Sequence, residues 1–207
     1  MVRRRLSTLS RAALKVANDC AADRPQVRII FASRHGELRR TTDILRDISE
    51  GSPVSPTSFS LSVLNAMTGI FGIARGDRTA ASALSAGSET LGYALLEAHA
   101  QYATDASKPV LLVYADEPAD PAYGTIEEEV HGGALAVLLD APAMGHLSCS
   151  RRIVAVAGEA QNRSDVSSDA SLTSQSQAVH HCLGERTAAR WQNERSAWEW
   201  SWHEVAA

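Results

Sequence analysis

Ser85 lies within a run of residues that are small except for Leu84, Ser82-Ala83-Leu84-Ser85-Ala86-Gly87, just ahead of an apolar-periodic stretch from Glu89 to Tyr102. A serine in a turn before a helix is a place for a nucleophile, and the helix N-terminus near Gly87 is a place for an anion or oxyanion. The competing reading is packing: small side chains let backbones approach closely. His180-His181-Cys182 has ligand types side by side. Adjacent residues of an extended chain point to opposite sides, however, and no complementary pair accompanies them. His131 beside Glu127, Glu128 and Glu129 lacks a second histidine at ligand spacing, and such an acid run reads as solvated surface. His35, in Arg34-His35-Gly36-Glu37, reads as a turn histidine satisfied by backbone, with a polar contact to a partner as the alternative. Glu37 reads as a first-turn helix acid. No metal site and no cofactor are expected.

Positioning these residues needs strands that alternate with helices. Leu6, Leu9, Ala13, Val16, Ala17 and Cys20 fall on one helical face. The same stretch, Met1 to Val16, carries Arg3, Arg4, Arg5, Arg11 and Lys15 without an acid, a composition shared with organelle transit peptides. Arg3-Arg4 is a twin-arginine pair, but no apolar h-region follows. Val27 to Ala32 predicts a buried strand, and Leu38, Thr42, Leu45 and Ile48 a helix that ends by Gly51. Pro53 and Pro56 mark a loop. From Phe59 to Ile73 the chain is apolar and small, and Gly69 and Gly72 there predict close backbone approach. Leu91, Leu95 and Ala98 predict the inward face of a helix. Val110 to Tyr114 and Gly132 to Leu139 predict core strands, and Ile153 to Ala157 a further short one. Asp116 to Gly124 is an acidic, proline-containing loop.

The pattern is that of an α/β layered fold. Its first domain is expected to span 1–160. A polar linker or long loop is expected at 161–177, rich in Ser, Asp, Asn and Gln. A tail, 178–207, ends with alternating Trp198, Trp200 and Trp202. Those rings either anchor one face of a strand or cover an apolar partner surface.

Composition narrows the function classes. The chain has 207 residues, a net charge of −4 and a sequence pI of about 6.0, so a domain-wide basic surface for nucleic acid is not expected. Three separated cysteines, Cys20, Cys149 and Cys182, give no disulfide framework, in keeping with a reducing cytoplasmic setting. No apolar run reaches the ~18 residues that span a bilayer.

Three stretches resemble the N-terminal half of a β-ketoacyl synthase, a condensing enzyme of the thiolase-like superfamily. They are Val54-Ser55-Pro56 through Phe59 to Asn65, Gly69 and Ile73; Ser82 through Gly87 on to Leu91-Gly92-Tyr93-Ala94; and Gly132-Gly133-Ala134-Leu135 to Leu139. Arg3-Arg4-Arg5-Leu6-Ser7, Phe31 to Leu38 and the closing Trp198-Glu199-Trp200 resemble more closely the standalone β-ketoacyl synthase-like N-terminal domains of aryl polyene and related fatty-acid-type pathways. The resemblance implies a thiolase-like N-terminal half, a layered α-β-α fold with a mixed sheet. It also implies a strand ahead of Arg3, as expected if the chain begins inside a longer natural one.

Aligned on Leu91 to Ala94, the position of the nucleophilic cysteine is held by Leu84, which has no nucleophile; a one-residue slip would place Ser85 there. The two histidines of active synthases belong to a C-terminal half with no counterpart here. His180, His181 and His203 lie in a segment that does not match them. Leu84 followed by Ser85, Ala86, Gly87 and Glu89 resembles chain-length factors, the cysteine-lacking partners in two-subunit synthases. That resemblance implies a heterodimer with an active ketosynthase, or a homodimer, and contact with acyl carrier protein through the partner. Arg3 to Arg5 would meet that carrier's acidic surface. It further implies tunnel-wall positions at Leu64, Asn65, Met67 and Phe71, with core packing as the alternative. The partner interface would lie along Thr79, Ala80, Ala81, Ser82, Ala83 and Leu84. A self-sufficient acyltransferase using Ser85 and a homodimeric scaffold are the competing functions.

Overall fold

A computed structural model describes residues 6–141, 143–154 and 172–204. They divide into two compact units, within Met1–Pro142 and within Ala143–Ala207.

In the first unit, α1 (Thr8–Ala21) starts at Ser7, whose hydroxyl oxygen accepts from the Ser10 N–H at 2.9 Å. This satisfies one of the free donors of the first turn. Its inward face is Leu9, Ala13, Ala17 and Ala21. β1 (Arg28–Ala32) follows, then α2 (Leu38–Ser49) and α3 (Pro56–Ser60). Pro56 sits in the first turn of α3, where its missing N–H costs nothing. α4 (Ala66–Arg75) leads to β2 (Ala81–Leu84), and α5 (Thr90–Thr104) to β3 (Val110–Asp116) and β4 (Gly133–Leu139). The Arg28 guanidinium donates to the carbonyls of Gln101, Asp105 and Lys108. It thus places a cation at the C-terminal end of α5, where the helix dipole favours one.

The strands lie in the order β2-β1-β3-β4. β2, β1 and β3 are parallel, and β4 runs antiparallel to β3. Ile29, Phe31, Leu111, Val113 and Ala115 point to one face and pack with α1, Met67 and Phe71. α5 packs on the other face. The unit is therefore a three-layer α-β-α arrangement on a mixed sheet, and β3 is buried along its whole length. Among the described residues, no helix is long and apolar enough to cross a membrane.

The second unit contains β5 (Gly145–Ile153), α6 (Gln175–Glu185), β6 (Ala189–Gln192) and β7 (Ser196–Glu204), in an antiparallel sheet of order β5-β7-β6. Trp198 and Trp200 are fully buried, their rings stacked at 6.1 Å. Of the two readings for these rings, the buried anchor is the one observed. A domain extending to residue 160 would hold β5 in the first unit; the structure instead pairs β5 with the tail strand β7. A short strand was expected at Ile153 to Ala157. Ile153 ends β5, and residues 155–157 lie outside the described residues, as do Arg3 to Arg5 and 161–171. Within the expected linker, Gln175 to Gln177 already form the first turn of α6.

Candidate functional site

A cavity of about 600 Å³ opens between α4 and the edge strand β2. Its walls include Leu64, Asn65, Phe71, Ile73, Thr79, Ala81, Ser82 and Ala83. Residues expected along a tunnel wall and residues expected at a partner interface thus meet in one groove. β2 is the outermost strand of its sheet, so one of its backbone edges has no strand partner among the described residues. The Ser82 hydroxyl accepts a hydrogen bond from the Gln101 amide of α5 at 3.2 Å.

Of the expected interface residues, Ala80 and Leu84 do not line the groove, and among the expected wall residues Met67 is the exception. It is 2% exposed and packed into the core with Phe31 and Phe71, and it does not line the groove. Gly72 makes the close approach read from its sequence: a Cβ there would lie 2.9 Å from the Asp77 carbonyl oxygen. Gly69 does not, because a Cβ there would meet nothing within 4 Å. Asp77 fixes the groove's lower end. Its carboxylate accepts from the N–H of Val27 at 3.0 Å, and from the N–H and hydroxyl of Thr79 at 2.9 and 2.5 Å. Burial alone would push this carboxyl up. The Thr79 hydroxyl, the two backbone N–H groups and nearby Arg75 outweigh burial and hold it below the usual carboxylate range.

At the other end of β2, the turn of Ser33, Arg34 and His35 that bonds Leu84 and Ser85 is held by a buried carboxylate. Asp116, 1% exposed, accepts from the Ser33 hydroxyl at 2.9 Å and from the N–H groups of Arg34 and His35 at 2.6 and 3.0 Å. The Ser85 hydroxyl donates to the Arg34 carbonyl at 3.0 Å. A carbonyl cannot take that proton, so this contact does not activate the serine. Burial, then the charge and hydrogen bond of Asp116, push the Tyr114 phenol up, and it stays neutral. Leu84, half-buried, ends β2 opposite Ala32.

The other candidates resolve individually. The His35 ring is bonded to the Glu129 carboxylate at 2.7 Å, so a carboxylate rather than backbone satisfies it. Glu129 sits below the usual range: its own burial pushes it up, but His35 and the N–H groups of Val130 and Ala119 outweigh that. Glu37 precedes the first turn of α2, yet its carboxylate bonds the hydroxyls of Ser7 and Ser10 across to α1, at 2.6 and 2.5 Å. His180-His181-Cys182 is helical rather than extended: both histidines are exposed and Cys182 is buried. No cluster of three metal-ligating side chains occurs among the described residues. Sequence reasoning missed Ile73, which lines the groove and is 83% exposed. It ends an apolar stretch whose inward face periodicity alone does not mark.

A parallel sheet closed by one antiparallel strand, layered between helices, is the thiolase-like fold of the ketosynthases. Residues 1–201 match the model of the β-ketoacyl synthase N-terminal domain, and the chain belongs to that family. Among solved structures it is similar to a chain of the ketosynthase ApeO in complex with its chain length factor ApeC from Xenorhabdus doucetiae. The identity is 26% and the TM-score 0.77, over 97% of this chain and 80% of that one. It also has the fold of the ishigamide ketosynthase/chain length factor, at 18% identity and TM-score 0.58, over 72% of this chain and 49% of that one. No curated protein matches the sequence.

Proposed function

We propose that this chain is a non-catalytic, chain-length-factor-like subunit. It pairs with an active β-ketoacyl-ACP synthase in aryl polyene or fatty-acid-type chain elongation, in the cytoplasm. The observation that carries the reading is the combination at β2. Leu84, with Ser85 as the alternative, stands where the resemblance places the nucleophile, and the same strand borders an open groove of about 600 Å³. A leucine cannot form an acyl thioester. A groove on an edge strand can supply one wall of a tunnel whose other wall and catalytic cysteine and histidines belong to a partner. Thr79 to Leu84 would meet that partner, and Leu64, Asn65 and Phe71 would line the chain's path. Acyl carrier protein would be engaged through the partner. The likeness to a ketosynthase–chain length factor complex over most of both chains supports this reading.

Exposed apolar side chains support a covered face: Ile73, in the groove wall, is 83% exposed, and Phe59 and Val63, ahead of α4 in the chain, are 65% and 48% exposed. The test is the native mass of this chain purified alone and with the ketosynthase encoded alongside it. A stable one-to-one complex that elongates acyl chains, with Ser85→Ala as active as the parent, is expected. Elongation by the isolated chain that Ser85→Ala abolishes would instead establish a self-sufficient enzyme. A homodimer that ignores the ketosynthase would point to a scaffold.

A further inference from the structure

Gly69 and Gly72 lie one helical turn apart on α4, and both line the groove. Only one of them is explained by the fold. At Gly72 a Cβ would press on the Asp77 carbonyl oxygen at 2.9 Å, so the backbone path into β2 requires glycine there. At Gly69 a Cβ would meet nothing within 4 Å, and its backbone is ordinary helix. Glycine inside a helix is disfavoured relative to alanine because it leaves more backbone freedom to be lost on folding. The fold therefore bears a cost at residue 69 with no packing return, and the space left empty is the groove itself.

We infer that Gly69 is a specificity-determining position: its missing side chain keeps the groove open for the growing acyl chain, and its size sets how far that chain extends. The inference rests on the tunnel reading above and assigns the limiting role to a position other than the bulky neighbours. Met67 is excluded because it is packed into the core. Phe71, 3% exposed, contributes a wall but is itself part of that core, so substituting it disturbs the fold as well as the groove. Gly69, like the exposed Ile73, is a lining position on α4 where size can change without displacing a neighbour.

Two variants test this in the full chain. Gly69→Ala, measured alone by thermal unfolding, is expected to raise Tm by about 2 °C through helix propensity. A fall in Tm would show that the fold requires this glycine and would overturn the inference. Gly69→Leu is then co-purified with the ketosynthase, and its products are sized by mass spectrometry beside those of Leu64→Phe. The expected result is an intact complex whose products are shorter by at least one two-carbon unit. Loss of the complex with Gly69→Leu would make residue 69 a subunit contact and overturn the inference. Unchanged products from Gly69→Leu with altered products from Leu64→Phe would overturn it too, while leaving the tunnel standing. Unchanged products from both variants, or no complex with the parent chain, would remove the tunnel reading and this inference together.

Discussion

Replacing Asp116 with alanine should loosen the turn of Ser33, Arg34 and His35, which bonds Leu84 and Ser85, and cost a large share of the protein's stability. The carboxylate is 1% exposed and accepts three hydrogen bonds, from the Ser33 hydroxyl and the Arg34 and His35 N–H groups. Hydrogen bonds to a charged group contribute about 1.5–3 kcal/mol each. Arg34 and His35 are only half-buried, so water can replace part of what their N–H groups lose. The net expectation is about 3 kcal/mol, against a total of about 5–15 kcal/mol for a domain. For a chain of this length that corresponds to a fall in Tm of about 6–12 °C. Asp116→Asn should fall between the two, because its amide keeps one acceptor oxygen but turns a donor toward another donor. Urea unfolding followed by circular dichroism gives both the midpoint and the slope. A loss below about 1 kcal/mol for Asp116→Ala, with unchanged slope, would refute the claim that this carboxylate organises the turn. Because Arg34 also holds the Ser85 hydroxyl through its carbonyl, the same variant should weaken pairing along β2 if that strand meets a partner.

Two further predictions concern the second unit, which contains all four tryptophans, so fluorescence excited selectively at tryptophan reports on it alone. A Cβ at Gly145 would lie 2.4 Å from the Trp202 ring and 2.5 Å from the His203 carbonyl oxygen. Gly145→Ala should therefore cost about 1–3 kcal/mol by overpacking, and an unchanged fluorescence midpoint would refute this. Burial pushes the Cys149 thiol up to about 11. A raised thiol pKa leaves less thiolate at a given pH. Alkylation at pH 8 should therefore be about 200-fold slower than for an unperturbed thiol of pKa ~8.5, and should rise about tenfold per pH unit. Peptide mass spectrometry of timed iodoacetamide reactions checks this, and a rate that levels off by pH 9 would contradict it.

The first unit was largely legible in the sequence because its elements carry strong patterns. Ile29 to Ala32 and Val110 to Tyr114 are continuous apolar runs, as strands buried on both faces must be. Leu9, Ala13 and Ala17 mark the buried stripe of α1 at helical spacing. β5 was missed because its inward residues are Leu147, Cys149 and Arg151, and the Arg151 guanidinium lies over the Trp198 ring at 5.9 Å. A strand that buries a cysteine and an arginine stem shows little alternation of hydropathy. The groove was half legible. Leu64 and Phe71 were found as bulky residues at a motif, but Met67 was placed beside them although it belongs to the core. α4 reads Ala-Met-Thr-Gly-Ile-Phe-Gly-Ile-Ala-Arg and is apolar almost all round. Such a helix gives no sign of which side meets the sheet and which the groove. The role of glycines was also ambiguous: Gly69 and Gly72 look alike in sequence, and only the position of the Asp77 carbonyl separates them.

The pairing of β5 with β7 has a consequence for how the protein is made. Gly145 is matched with Glu204 and Ile153 with Ser196, so the central strand of the second sheet, β7, follows both of its neighbours in the chain. The described strands of the first sheet are complete by Leu139, and that unit can fold while synthesis continues. β5 must then wait, as a nine-residue strand without its neighbour, until β7 has emerged. During that interval it offers an unpaired edge to any other nascent chain. Its exposed serines and arginine, Ser148, Ser150 and Arg152, suit a segment that must remain soluble before its partner strand exists.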